Sequence, residues 1–232
     1  MKLNSGGSAL FIHLCYTGCG QDTGRTERHI YLKFSYLLAI MYEVLTRSLL
    51  AKASFSEEDL QKCMNQFIPK KIRKRQYVLQ EGDVCTKSVF IERGSLYSYN
   101  IDDKGTQHVI QFAFEGWWIG DLYSLLTGEP SKMNIEALED SDVLIIDRQD
   151  HFKLLSEVPK YESYYRILFQ DAYVALQRRV SITIGLTAEE KYQRLVNQYH
   201  SFINRVPLHL IASYLGVSPE TLSRIRKQML HQ

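Results

Sequence analysis

The residues with the clearest chemistry lie in LHLIASYLGVSPETLSRIRK, from Leu208 to Lys227. Glu220 offers a carboxylate that accepts from a cytosine amino group, and Arg224 a planar fork of donors matching the two acceptors on a guanine edge. Thr221 and Ser223 carry hydroxyls that adapt to a base or a phosphate, while Arg226 and Lys227 suit backbone phosphates. Such side chains read DNA only when a rigid element presents them together, and the flanking residues meet the demands of a helix-turn-helix. Counting Leu208 as position one, Ala212 at five is the small residue where two helices cross, and Gly216 at nine permits a positive φ in the turn. Ile211, Leu215, Val217, Leu222 and Ile225 fill the apolar places at four, eight, ten, fifteen and eighteen. Ser218 is a natural N-cap, and Pro219 suits the first helical position, where an amide donor is not needed. The competing reading is a helical hairpin whose charges are merely solvated.

A second constellation, WWIGDLYSLLTGEPSKMNIEAL from Trp117 to Leu138, has the make-up of a small-molecule pocket. Gly120, Asp121 and Leu122 open it, a Gly-Glu-Pro turn follows, and Ser131, Lys132 and Met133 precede a strand-like segment. A third, KKIRKR from Lys70 to Arg75, places five positive charges in six residues; a solvated basic edge is the expected reading, with nucleic-acid contact as the alternative. His13, Cys15 and Cys19 supply three metal-ligand types without a fourth, so no metal site is expected. No catalytic residues are assigned and an enzyme is the least expected class, because no H-E-x-x-H, G-x-S-x-G, P-loop or dinucleotide glycine pattern occurs.

The elements that must position these groups are legible in outline. The chain has 232 residues, 45% of them hydrophobic, and a formal charge of +2, too small to imply a nucleic-acid partner by itself. The charge is unevenly placed: from Arg178 to Gln232 there are eight Lys or Arg against three acids. The four cysteines, Cys15, Cys19, Cys63 and Cys85, form neither a dense disulfide framework nor a C-x-x-C pair, which suits reduced thiols in a cytoplasmic protein. No signal peptide or membrane span is read, since the most apolar stretch, from Tyr36 to Leu50, is interrupted by Glu43 and Arg47.

Residues 1–40 are rich in Gly, Ser and Thr without sustained period and read as a flexible extension. Helical pattern runs from about Ile30 to Ala53, and a short helix follows Ser56, with Leu60, Cys63, Met64 and Phe67 on one face. From Tyr77 to Asp147 strand-like runs (SVFIERG, SLYSYNI, HVIQFAF, DVLIID) alternate with Gly82, Gly94, Gly105 and Gly116, the spacing of hairpin-linked strands in a sandwich or roll. Asp102-Asp103-Lys104-Gly105 suits a hairpin tip. After Pro159 a long helix carries Tyr161, Tyr165, Leu168, Ala172, Ala175, Arg179 and Ile182 at alternating four- and three-residue spacing, a seam for pairing with a second copy or for packing on its own domain. Thr187-Ala-Glu-Glu190 then starts another helix with a capping box.

In this order the elements resemble the Crp/Fnr family, that of the cyclic-AMP receptor protein and the fumarate and nitrate reductase regulator, over Met41 to Gln232. Glu220-Thr-Leu-Ser-Arg224 looks like the family's Glu-x-x-Ser-Arg reading signature. The resemblance implies an α+β fold: a flexible extension (1–40), a cyclic-nucleotide-binding-like antiparallel β-roll (41–158), a dimerisation helix (159–185) and a helix-turn-helix domain (186–232). It further implies a cytoplasmic homodimer that binds a near-palindromic operator in transcription control, with RNA polymerase as a candidate further partner. The DNA contacts would be Ser218, Glu220, Thr221, Ser223, Arg224, Arg226 and Lys227. Met41 is where such members commonly begin, which leaves open whether residues 1–40 belong to the native protein. Relatives usually continue into a β-hairpin wing after the reading helix, whereas here five residues follow Lys227, so affinity is expected to lean on dimerisation.

Aligned with cyclic-nucleotide-binding relatives, Gly120-Asp121 stands at the ribose-binding Gly-Glu, and Ser131, Lys132 and Met133 stand at the phosphate-binding Arg, Ser or Thr, and Ala. The guanidinium fork is replaced by a flexible ammonium, which cannot reproduce bidentate phosphate binding. Gly120, Asp121, Leu122, Ser131, Lys132 and Met133 are therefore expected to form a degenerate pocket that takes no cyclic AMP, serving an unknown effector or none, and no cofactor is assigned. An iron-sulfur centre lacks suitably placed cysteines, and His108 and His151 are single histidines that leave a haem sensor open. The alternative function is a ligand-binding signalling module that acts through a protein partner instead of DNA.

Overall fold

The computed structural model describes residues 42–199 and 204–229. The readings on His13, Cys15, Cys19 and the flexible extension fall outside them. Among the described residues no helix is long and apolar enough to cross a membrane.

Helix α1 (Glu43–Lys52) starts on the Glu92 carboxylate, which accepts the Val44 and Leu45 amides at 3.0 and 2.8 Å. A charged acceptor thus takes two orphan donors at a helix N-terminus. Helix α2 (Glu57–Met64) begins as its sequence demands, with the Ser56 hydroxyl accepting the Asp59 amide.

Eight strands follow: β1 (Ile68–Ile72), β2 (Tyr77–Leu79), β3 (Lys87–Arg93), β4 (Leu96–Ile101), β5 (Gln107–Ala113), β6 (Trp118–Ile119), β7 (Asn134–Ala137) and β8 (Ser141–Asp147). They form two antiparallel four-stranded sheets, β1-β8-β3-β6 and β2-β7-β4-β5. Ile72, Val89, Ile91, Leu96, Ala113, Ile135, Val143 and Ile145 fill the space between the sheets. The four strand runs legible in the sequence are β3, β4, β5 and β8; β1 carries Pro69, tolerable because this strand lies at a sheet edge. Gly94 holds the β3–β4 turn at φ 98°, and a Cβ there would lie 2.7 Å from the Ser141 backbone, so no other residue fits.

Period-two alternation puts Leu96 and Ser98 inside the roll and turns Tyr97 and Tyr99 outward. That outer face is nevertheless buried. Tyr97, Tyr99, Val109, Phe112, Phe114 and Leu138 share one apolar cluster with residues of the C-terminal helices, including Tyr192, Val206, Leu210, Ile211 and Leu222.

Helix α3 (Leu122–Thr127) lies between β6 and β7, and α4 (Arg148–Glu157) leads into α5 (Pro159–Gly185), a 27-residue helix about 40 Å long. The positions spaced as a seam on α5 do not share one environment. Tyr161 is fully buried and Arg179 bonds inward to β5, whereas Phe169, Tyr173, Leu176, Val180 and Ile184 form an exposed apolar stripe, Ile184 at 82%. The stripe lies about one residue round the helix from the spaced seam, of which Ala172 and Ala175 are also exposed, while α1 and α4 cover only the N-terminal part of the helix. Tyr164, for example, receives the Trp118 indole N–H at 2.9 Å and meets the Ser48 hydroxyl at 3.0 Å.

His151 on α4 is buried, with Nδ1 3.0 Å from the Tyr161 hydroxyl and Tyr165 packed against its ring. Burial lowers its pKa from 6.5 to about 4, so the unfolded chain binds a proton in that window that the folded one resists. Stability contributed by neutral His151 is full above pH 6.5 and is lost as pH falls toward 4, a loss of roughly 3 kcal/mol at most. Urea denaturation at stepped pH should show this slope between pH 6.5 and 4, and His151→Phe should flatten it.

Candidate nucleic-acid interface and effector pocket

Helix α6 (Ala188–Gln198) opens with the predicted capping box: the Glu190 carboxylate accepts the Thr187 amide at 2.9 Å, and the Thr187 hydroxyl accepts the Glu190 amide. Helices α7 (Leu208–Leu215) and α8 (Pro219–Met229) then form the helix-turn-helix. Gly216 turns the chain at φ 70°, and the Val217 amide returns to the Ala212 carbonyl at 3.0 Å. Ala212 is fully buried where the helices meet, and Leu210, Ile211, Leu215, Leu222 and Ile225 are buried around it.

Ser218 caps α8 by accepting the Thr221 amide at 3.2 Å, and its hydroxyl also reaches Thr221 Oγ1. Pro219, Glu220, Ser223, Arg224 and Lys227 line one shallow, open concavity of about 440 Å³. The structure therefore brings Glu220, Ser223, Arg224 and Lys227 onto one face. Thr221 is half-buried and turned to the cap, and Arg226 is exposed on a different side of the helix. Bonds from its own backbone N–H and from the Ser218 hydroxyl hold the Glu220 carboxyl below the usual carboxylate range, so it is an acceptor at neutral pH.

Three polar junctions fix this unit to the roll; sequence reasoning put Arg179 on the α5 seam and assigned no role to Ser213 or Arg205. The Ser213 hydroxyl of α7 accepts the Val109 amide at 2.9 Å and donates to the Gln107 carbonyl at 2.7 Å. Arg179 of α5 donates to the Val109 and Ile110 carbonyls while its guanidinium lies 4.3 Å from the Tyr214 ring centroid. Arg205 makes a bidentate pair with Glu115 at 2.8 and 2.9 Å and also donates to Glu139. Burial pushes the Glu115 carboxyl up, yet the Arg205 bonds outweigh it and leave its pKa below the ordinary value. These partners are 66 to 106 residues apart in sequence, so no local signal reveals them.

In the pocket-like stretch the polar groups are spent on each other. Asp121 N-caps α3 through Oδ1, and its Oδ2 accepts the Ser131 hydroxyl at 2.7 Å. Ser131 also takes the Met133 amide, and its backbone exchanges bonds with Gly82 and Asp83. Asp121 and Ser131 are buried, Met133 half-buried, Lys132 and Leu122 exposed, and Gly120 sits close to the Lys87 carbonyl. The structure brings Asp121, Ser131 and Met133 together but leaves Lys132 outside. His108 pairs with Asp102 at 2.8 Å, and Cys63 is buried with its thiol pushed up to about 12 by burial. Among the described residues no group of three His, Cys, Asp or Glu could hold a metal ion.

Residues 69–158 match the family model of the cyclic nucleotide-binding domain. The fumarate and nitrate reduction regulatory protein of Vibrio cholerae is 26% identical over 175 residues, 70% of this chain and 69% of that protein. Among solved structures, the c-di-GMP-responsive global regulator CLP of Xanthomonas campestris has a TM-score of 0.61 at 14% identity, over 76% of this chain and 92% of that one. FixK2 of Bradyrhizobium japonicum has 0.59 at 19% identity, over 72% and 85%. A Crp/Fnr-family regulator of Eubacterium rectale has 0.60 at 14%, over 76% and 84%. A cyclic nucleotide-binding-type roll joined to a helix-turn-helix defines the class, an α+β DNA-binding regulator. Within that class, the chain is similar in sequence to the fumarate and nitrate reduction regulator and in fold to solved Crp/Fnr transcriptional regulators.

Because both Asp121 oxygens are already bonded and, among the described residues, no arginine pairs with Asp121, calorimetry with cyclic AMP and cyclic GMP should detect no binding in the sub-millimolar range. A sub-millimolar dissociation constant for either would show that the Asp121–Ser131 bond opens to admit the ligand.

Proposed function

We propose that the protein acts as a homodimer whose two copies of α8 read half-sites about one helical turn apart in a near-palindromic operator. The reading face of α8 carries this proposal: Glu220, Ser223, Arg224 and Lys227 point into open solvent on a helix whose other side is buried. The stripe Phe169, Tyr173, Leu176, Val180 and Ile184 supports the dimer, since an apolar seam of this length on one helix suits a second copy of the same helix. Ser218, Thr221 and Arg226 serve beside the reading face, the first two by setting the helix start and the last by meeting phosphate.

The division into a roll (41–158), a dimerisation helix (159–185) and a reading domain (186–232) is part of the same proposal. RNA polymerase follows as a further partner from the family resemblance. The protein works in the cytoplasm as a regulator and not as an enzyme, a reading supported by its similarity to a fumarate and nitrate reduction regulatory protein. Gly120, Asp121, Leu122, Ser131, Lys132 and Met133 are on this view scaffold, and cyclic AMP is not the signal.

Arg224→Ala should weaken operator binding by about 1–3 kcal/mol and relax preference at one base pair per half-site. Selection of bound fragments from random DNA checks this, and unchanged base preference would remove Arg224 from the readers. Leu176→Glu with Val180→Glu should give a monomer by sedimentation velocity and lower operator affinity by about a hundredfold. A doubly substituted protein that stays dimeric would move the interface off this stripe. Binding that showed no salt dependence, or no retained DNA at low salt, would favour a module acting through a protein partner.

A further inference from the structure

Helix α7 is held to the roll near both of its ends. Just before its start, Arg205 donates two bonds to Glu115 at 2.8 and 2.9 Å and one from Nε to Glu139 at 3.1 Å, with its guanidinium 5.6 Å from the Phe114 ring centroid. Those carboxylates are themselves set by the β3–β4 turn: Glu115 Oε1 accepts the Gly94 amide at 2.9 Å, and Glu139 Oε1 accepts the Ser95 hydroxyl at 2.7 Å. Toward the other end the Ser213 hydroxyl accepts the Val109 amide and donates to the Gln107 carbonyl of β5. The helix is eight residues long, roughly 12 Å, so the two holds are well separated along it.

The covalent link leaves the pose of this unit open. Helix α5 ends at Gly185, and only Leu186, extended at ψ 150°, stands between it and Thr187, the N-cap of α6. A Cβ at Gly185 would meet nothing within 4 Å, so no packing stiffens the joint at that point. The apolar layer under α7 is non-directional and does not by itself fix an angle. Two polar holds at separate points on one helix do, because a bidentate guanidinium pair is planar and oriented. Helix α8 follows α7, since the Val217 amide returns to the Ala212 carbonyl and Leu222 packs in the same cluster.

We infer that Arg205 and Ser213 are positioning residues that set the half-site spacing the protein accepts. In a symmetric dimer the separation of the two α8 helices is decided by how α5 pairs and by the angle at which each reading unit sits on its own roll. Successive base pairs lie about 3.4 Å apart along a duplex, so a pose held more tightly than that admits one spacing, and a pose free to pivot admits its neighbours. Neither residue lies on the reading face of α8; each acts through α7. The inference rests on the dimeric DNA-reading proposal above.

The test uses the full-length protein with a selected operator, the same operator with one base pair added to or removed from its spacer, and a duplex carrying a single half-site. Fluorescence anisotropy at low salt measures each against a scrambled duplex. The unmodified protein should bind either altered spacing about tenfold more weakly, because the second half-site is no longer reached without strain. Arg205→Gln with Ser213→Ala should lose less than about threefold on altered spacing, bind the selected operator about tenfold more weakly than the unmodified protein, and bind the single half-site equally well. Glu115 and Glu139 are partly exposed, so water solvates them when the guanidinium is removed. Arg205→Lys, which keeps the charge without the fork, should fall between the two. Unchanged half-site affinity separates positioning from loss of fold, since a melted reading unit would fail on the half-site too. Retention of the full spacing penalty by the double variant would overturn the inference, as would loss of its half-site binding or indifference of the unmodified protein to spacing. Failure of the unmodified protein to bind any duplex above the scrambled one would instead remove the DNA-reading proposal beneath it.

Discussion

The outer face of the sheet β2-β7-β4-β5 is the surface on which the rest of the molecule depends. In an antiparallel sheet with one solvated face, the outward positions of β4 and β5 would be polar. Here they are Tyr97, Tyr99, Val109 and Phe112, with Phe114 just beyond β5, and they are buried because α6, α7 and α8 bring Tyr192, Leu210, Ile211 and Leu222 onto them. The reading helix is thus held by an apolar layer shared with the roll, and the orientation of α8 follows from packing on strands a hundred residues earlier in the chain.

Around that layer the polar contacts supply direction. Apolar burial alone permits sliding, whereas Ser213 engages both an amide and a carbonyl of β5, and Arg205 spans two carboxylates in bidentate geometry. Arg179 links three elements at once, because its donors go to β5 while its planar face meets Tyr214 of α7. A change in the packing of α5 therefore has a direct physical route to the helix-turn-helix, through one guanidinium. Glu115 remains a good partner for Arg205 because the paired guanidinium outweighs the cost of its partial burial.

The pocket-like stretch illustrates the reverse case, polar groups whose mutual satisfaction closes a site. Asp121 serves as a helix cap and as the acceptor for Ser131, and Ser131 ties the loop back to Gly82 and Asp83. The hydrogen-bonding capacity of these residues is used in holding the roll together. Lys132, the single cation in the stretch, points to solvent.

Much of this was legible before any tertiary contact was known. Caps at Ser56, Thr187 and Ser218, the turn at Gly216 and the apolar spacing of α7 and α8 are set by groups within a few residues of each other, so local sequence alone determines them. The reading face of α8 belongs to the same class, since helical periodicity fixes which of Glu220, Ser223, Arg224 and Lys227 align. The short strands β1, β2, β6 and β7 were not legible, being two to five residues long and dependent on partners for their hydrogen bonds. On α5 the seam spacing did not reveal that Tyr161 and Tyr164 are covered by α1 and α4 whereas Tyr173, Leu176 and Val180 are exposed, because neighbouring elements, not the helix itself, decide which part is covered. Sequence by itself determined the helix-turn-helix, the strands β3, β4, β5 and β8, and which polar groups align on the exposed face of α8. Only the tertiary structure decided that the outer sheet face is a core and that Arg179, Arg205 and Ser213 are its fastenings. The reason is that each of those facts is a pairing between residues far apart in the chain, which no local pattern encodes.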